Sequence, residues 1–137
     1  MSAVPLSSGG GLLLDTHAFL WVLADDSRLG PSSRAALRAG AAVYYSSVTI
    51  LELTIKDMLG RLDLPGDPVA GAAAAGLTEL TFTAAHASTL REFPSLVRHD
   101  PFDRMVLAQA RAAGLRLVTA DGVLLALDGV DLADARR

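Results

Sequence analysis

The run Asp100-Pro101-Phe102-Asp103-Arg104 puts two carboxylates within one helical turn, at the head of an apolar stretch, Met105 to Ala113, that stops at Gly114. Asp followed by Pro reads as an N-cap and first helical residue, because the Asp side chain accepts an orphan amide and proline needs no donor there. Asp103 is then left without a structural duty. Three other acids, Asp15, Glu52 and Asp121, each follow a short apolar run and become its natural company. Four like charges converging in one cleft would raise one another's pKa and oppose folding unless a cation neutralised them. Oxygen ligands without cysteine or a histidine cluster favour Mg²⁺ or Mn²⁺ over Zn²⁺. Such an ion lowers the pKa of a bound water and clamps the non-bridging oxygens of a phosphodiester. Hydrolysis of a nucleic-acid backbone is the reaction this chemistry serves best.

The elements that must position these acids follow from the apolar pattern. Leu12-Leu13-Leu14 is a short, wholly apolar strand, and Asp15-Thr16 caps a helix carrying Phe19, Leu20, Trp21 and Leu23. Pro31 opens a second helix to about Ala39. Ala42 to Tyr45 reads as a buried strand by its β-branched and aromatic content. A third helix runs from about Val48 to Leu59, and Leu64-Pro65-Gly66-Asp67-Pro68 is a loop into a small alanine-rich helix ending near Gly76. Leu77 to Phe82 alternates as an edge strand would, and Thr83 caps a helix to about Phe93. After a loop to Asp100 come the helix Pro101 to Ala113, the strand Arg116 to Thr119, a helix from Asp121 to about Leu127, and a last strand, Val130 to Leu132.

Apolar strands alternating with helices predict a single-domain α/β fold: three layers, α/β/α, around a mainly parallel sheet. Ligands of such sheets bind beyond the carboxyl ends of the strands. Asp15 and Asp121 follow their strands, and Glu52 lies early in the helix after Tyr45. Asp103 precedes its strand, but a crossover helix runs antiparallel to the strands, so its first turn reaches the same edge. Singly, each acid has a plainer use. Asp15 and Asp121 serve as N-caps, Asp103 as a capping-box partner of Asp100, and Glu52 as an i, i+4 partner of Lys56 worth about 0.3 kcal/mol. Their joint placement is what points to a metal.

The 137 residues are 51% hydrophobic and 20% charged, enough for one core, and the net charge of -3 argues against binding nucleic acid through bulk positive charge. Any such binding uses a local patch. The cations are arginines apart from Lys56, and Arg98, Arg104 and Arg111 form either an RNA track or a solvated face. His17, His86 and His99 are too dispersed for a ligand set, with His99 a candidate phosphate contact. Thr16, Ser47 and Thr119 either orient carboxylates or cap. With no cysteine, thiolate metal sites and thiol nucleophiles are excluded. Met1 to Gly11 reads as a flexible leader without a basic n-region, and Leu12 to Ala24 is too short and polar to span a membrane, which places the protein in the cytoplasm.

Through LLLDTHAFLWVL, SSVTILELTIKDMLGRL, DPFDRMVLAQA and LVTAD, taken in that order, the chain resembles the PIN-domain ribonucleases, and more narrowly the VapC-type toxins of bacterial toxin-antitoxin pairs. The resemblance covers Leu12 to Leu132. It implies a leader over residues 1–11, a nuclease domain over 12–133 and a tail over 134–137. It carries the family's acids onto Asp15, Glu52, Asp103 and Asp121. It further implies an endoribonuclease using Mg²⁺, with Mn²⁺ as substitute, in which Asp15, Asp103 and Asp121 bind the metal and Glu52 binds or helps to deprotonate the attacking water. Arg98, His99 and Arg104 would contact the substrate. The implied partners are RNA, a second copy in a homodimer, and a VapB-like antitoxin lying across apolar helix surface, with Phe19, Trp21 and Leu23 as candidates. Relatives often carry Trp where this chain has Leu51, and His where it has Arg98. Two rivals stand beside this reading: a catalytically silent PIN-fold module that binds RNA or protein, and a phosphatase or phospho-acceptor domain. Aspartyl phosphatases usually carry a second Asp two residues after the first, where His17 stands.

Overall fold

The computed structural model describes residues 10–64 and 66–137. Residues 1–9 of the expected leader, and Pro65 of the expected loop, lie outside the described residues. Five short strands, β1 (Leu12–Leu14), β2 (Val43–Ser46), β3 (Thr78–Leu80), β4 (Arg116–Thr119) and β5 (Leu132–Asp134), form one sheet in the order β3-β2-β1-β4-β5. Every pairing is parallel. All strand carboxyl ends therefore lie on one edge.

Side chains of successive strand residues point to opposite faces, which explains why β1 is apolar throughout and β2 and β4 carry apolar residues toward both faces. Leu12 and Leu14 of β1, Val43 and Tyr45 of β2, and Val118 of β4 face one layer. That layer is α1 (Thr16–Ala24), α2 (Pro31–Arg38) and α4 (Pro68–Ala74), which bring Phe19, Trp21, Ala36 and Ala72. Leu13 and Leu117 face the other layer, where α6 (Pro101–Ala113) and α7 (Gly122–Leu125) bring Val106, Leu107, Ala110 and Leu124. α3 (Ser47–Met58) serves both, with Leu53 in the first cluster and Val48 in the second. The architecture is the expected three-layer α/β/α sandwich. No helix among the described residues is long and apolar enough to cross a membrane.

The structure differs from the sequence pattern at three places. The helix expected from Thr83 to Phe93 is a short α5 (Ala84–Ser88), with Thr83 and His86 in a reciprocal capping box, followed by 3-10 turns at Thr89–Glu92 and Pro94–Leu96. The last strand is Leu132–Asp134, not Val130–Leu132. Its register pairs Leu132 with Leu117 and Ala133 with Val118, so each apolar residue faces the same layer as its neighbour. Residues 134–137, expected as a tail, are tied down. The carbonyls of Ala135 and Arg137 accept the N–H groups of Gly30 and Ser33, and a Cβ at Gly30 would stand 2.3 Å from the Arg136 carbonyl oxygen. Glycine alone permits that approach.

Candidate functional site

Asp15, Glu52, Asp103 and Asp121 all reach the carboxyl edge, each by a local device. Asp15 follows β1 and caps α1. Its N–H donates to the Val118 carbonyl at 3.0 Å and its Oδ1 accepts the Ala18 N–H at 2.8 Å. Its other oxygen, Oδ2, accepts the Thr119 hydroxyl at 2.5 Å. Thr119 in turn accepts the Asp121 N–H at 3.0 Å, so one hydroxyl at the end of β4 ties two of the acids together. Asp121 caps α7 with Oδ1, which accepts the N–H groups of Val123 and Leu124, and leaves Oδ2 facing the cleft. Asp100 caps α6 with one oxygen on the N–H groups of Phe102 and Asp103, as its sequence position predicts. Asp103 is thereby presented from the first turn.

Electrostatics single out the Asp103–Asp121 pair. Burial, the charge of Asp100, hydrogen bonding with Asp121 and the charges of Asp121 and Asp15 push the Asp103 carboxyl up from 3.8 to about 7. Burial also pushes Asp121 up, but hydrogen bonds from the Leu124 N–H, Asp103 and the Val123 N–H outweigh it and hold Asp121 below the ordinary carboxylate value. Neighbouring carboxylates oppose each other's ionisation, and here that cost falls on Asp103. Asp15, buried at 3% exposure, is raised by desolvation against the hydrogen bonds from Thr119 and Ala18. Unneutralised acids under this strain are what a divalent cation relieves.

One ligand atom each from His99, Asp103 and Asp121 lie within 4.8 Å of one another. His99 Nε2 stands 3.2 Å from Asp121 Oδ2 and 3.4 Å from Asp103 Oδ2. Two carboxylates and an imidazole, with Asp15 adding charge behind them, fit a small divalent ion in donor type and spacing. The histidine is what sequence reasoning missed, having treated His99 only as a phosphate contact. Its i, i+4 spacing from Asp103 was the available signal.

Two of the expected site residues have partners of their own. Glu52, expected to bind metal or to act as base, is not one of the three-residue group. It is 4% exposed, with Oε1 accepting the Thr16 hydroxyl at 2.6 Å and Oε2 paired with Lys56 Nζ at 2.5 Å. Since an isolated charge cannot be buried cheaply, the carboxylate takes the partner four residues on. Ser47, expected to orient carboxylates or cap, accepts the Phe82 N–H at 3.0 Å with its hydroxyl and fixes the end of β3. Ser46, the residue before it, is the α3 cap.

The arginines divide. Arg98 is exposed beside His99, and Arg104, one residue past Asp103, has a buried Nε with no hydrogen-bond partner among the described residues. Arg111 is occupied at the far end of α6, stacked 5.3 Å over Phe93 with Nη2 donating to the Gly129 carbonyl. It does not extend a track. Of the apolar residues expected on a partner surface, Phe19 is fully buried against Tyr45. Trp21 and Leu23 instead line a cavity of about 510 Å³ with Leu20, Leu62 and Leu64, rimmed by His17, Asp26, Asp63 and Asp67.

Thr119→Ala should cost about 1–3 kcal/mol in chemical denaturation, because it strips a donor from buried Asp15 and an acceptor from the Asp121 N–H. Thr119→Ser should recover most of that loss. Asp100→Asn should keep the α6 cap, since Asn also caps well, and should lower the Asp103 pKa by removing a neighbouring charge. A carbon-detected NMR titration of the Asp103 carboxyl reads that shift directly.

The PIN domain family model matches residues 12–130. No curated protein sequence matches the chain. Among solved structures, the VapBC2 assembly of Rickettsia felis bound to a promoter DNA fragment superposes with a TM-score of 0.66 at 14% identity, covering 89% of this chain and 96% of that one. DNA-bound VapBC of Salmonella typhimurium gives 0.62 at 20% identity, over 92% and 98%. The sarcin-ricin loop cleaving toxin VapC20 of Mycobacterium tuberculosis gives 0.55 at 26% identity, over 90% and 100%.

Proposed function

The chain belongs to the PIN domain family, and from that premise we propose that it is a metal-dependent endoribonuclease and the toxin of a toxin-antitoxin pair. The observation that carries this reading is the convergence of His99, Asp103 and Asp121 beside Asp15 at the carboxyl edge of the sheet. A divalent cation held there by Asp15, Asp103 and Asp121, directly or through water, would supply Lewis-acid polarisation of a phosphodiester and a nucleophile at neutral pH. Asp15 and Asp121 are aimed by Thr119, and Asp103 by the Asp100 cap. Glu52 acts through Thr16, holding the first turn of α1 and hence Asp15. Arg98 and Arg104, at the head of α6, would meet the RNA backbone next to the acids.

The partner reading rests on the groove beside α1. Its floor is leucine and tryptophan, and its rim carries Asp26, Asp63 and Asp67 against the single cation Arg28, itself paired with Asp26 at 2.7 Å. That balance repels RNA and suits an antitoxin segment with apolar anchors and basic flanks. The solved neighbours VapBC2 and VapBC are toxin-antitoxin assemblies, which supports the same assignment. Leu62→Glu should therefore leave RNA cleavage intact and abolish its inhibition by the antitoxin.

The function is tested by inducing the chain in a bacterium and mapping new RNA 5′ ends, together with cleavage by the purified protein with and without Mg²⁺ or Mn²⁺. New ends that vanish with Asp103→Asn are the expected result. A growth defect without new ends would turn the reading to a silent binding module.

A further inference from the structure

We propose that His99 is a direct nitrogen ligand of the metal centre and that it sets the centre's preference for Mn²⁺ over Mg²⁺. The inference rests on the reading of Asp103 and Asp121 as ligands and goes beyond it, since neither their positions nor the four-acid pattern calls for a nitrogen donor.

The distances favour a ligand over an ion-pair partner. A charge-assisted N–H to carboxylate bond is about 2.7–2.9 Å long. His99 Nε2 meets neither acid that closely; it stands 3.2 Å from Asp121 Oδ2 and 3.4 Å from Asp103 Oδ2. One ring nitrogen carries at most one proton and cannot point it along both directions. Neighbouring ligands at right angles around a small divalent ion, with bonds near 2.1 Å, are separated by about 3 Å. Both observed spacings suit that separation. The backbone that carries the ring is also well held: the His99 backbone N–H donates to the Leu96 carbonyl at 2.9 Å, Leu96 is buried, and Asp100 begins the α6 cap one residue later. Asp121 spends Oδ1 on the amides of α7, so Oδ2, the oxygen nearest His99, is the one left for an ion.

The chemical consequence follows from donor type. Carboxylates and water suit Mg²⁺ and Mn²⁺ alike, whereas an imidazole adds affinity for first-row transition ions and little for Mg²⁺, which dehydrates reluctantly. With His99 in the set, Mn²⁺ should bind the full chain about tenfold or more tightly than Mg²⁺. His99→Ala should lower Mn²⁺ affinity by a similar factor, leave Mg²⁺ within about threefold, and so erase the preference.

Titration calorimetry with MnCl₂ and MgCl₂ on the wild type, His99→Ala and Asp121→Asn measures this without any turnover. Electron spin-echo spectroscopy of the Mn²⁺ complex adds a readout that needs no substitution: directly bound imidazole gives a ¹⁴N modulation. The expected results are that modulation in the wild type, its loss in His99→Ala, and weaker binding of both ions in Asp121→Asn. Unchanged or tighter Mn²⁺ binding by His99→Ala, with no ¹⁴N modulation in the wild type, would overturn the assignment and leave His99 as a counter-charge that the ion displaces. Absence of binding of either ion to the wild type would instead sink the metal reading, and this inference with it.

Discussion

An Asp103→Asn chain should fold, should melt at or above the wild-type temperature in metal-free buffer at pH 8, and, on the proposed function, should cleave RNA about 10³-fold or more slowly. The rate loss would follow from removing a proposed ligand of a cation that contributes several kcal/mol to such reactions, each 1.36 kcal/mol being tenfold. The gain in stability follows from the position of Asp103 among like charges. Its carboxyl titrates at about 7 in the folded protein against an ordinary value of 3.8. Between those values the folded state holds a proton that the unfolded state has released, so stability falls as pH rises through the window and is fully forfeited above it. Asparagine removes the charge that causes the loss. The α6 cap is untouched, because Asp100 supplies it. Single-turnover cleavage of a labelled RNA and a thermal melt check the two halves separately. Retained cleavage by a carefully purified Asp103→Asn protein refutes the assignment of Asp103. Loss of both cleavage and fold would mean that the side chain has a structural duty the Asp100 cap does not cover.

The sheet and the convergence of the acids were legible because both depend on local signals. Leu12-Leu13-Leu14 and Leu117-Val118 are apolar on both faces, which only a covered parallel sheet requires, and the N-cap signatures at Asp15, Asp100 and Asp121 mark helix starts at one edge. What could not be read was which acid meets which partner. The i, i+4 spacing already paired Glu52 with Lys56, but its contact with the Thr16 hydroxyl depends on a rotamer that no spacing announces. His99 approaches two carboxylates through a 3-10 turn after Pro94, a turn that no apolar period announces. The final strand slipped by two residues for a similar reason. Both registers satisfy alternation within the strand, and only Leu117 and Val118 across the ladder choose between them.

Millimolar Mn²⁺ or Mg²⁺ should raise the melting temperature strongly at pH 8 and weakly at pH 5.5. At a hundredfold excess over its dissociation constant a cation stabilises the folded state by about 2.7 kcal/mol, which for a chain of 137 residues is on the order of 10 °C. Binding at Asp103 requires its carboxyl to be ionised. Asp121 lies below the ordinary carboxylate value and stays ionised across the range, so one proton is released, with the Asp103 value of about 7. Below that value each pH unit costs about tenfold in apparent affinity, or 1.36 kcal/mol. At pH 5.5 the loss is roughly 2 kcal/mol, most of the stabilisation. The sign is opposite to that of the metal-free protein, in which deprotonating Asp103 destabilises the fold. A cation therefore reverses the slope of stability against pH, and the two curves should converge toward acid. Asp103→Asn should show no such reversal, since it has no proton to exchange. An equal rise at both pH values in the wild type would mean that the cation binds without displacing the Asp103 proton, and so away from that carboxyl. No rise at pH 8 at saturating ion would remove the metal from the reaction and leave the acids of this edge as a binding surface alone.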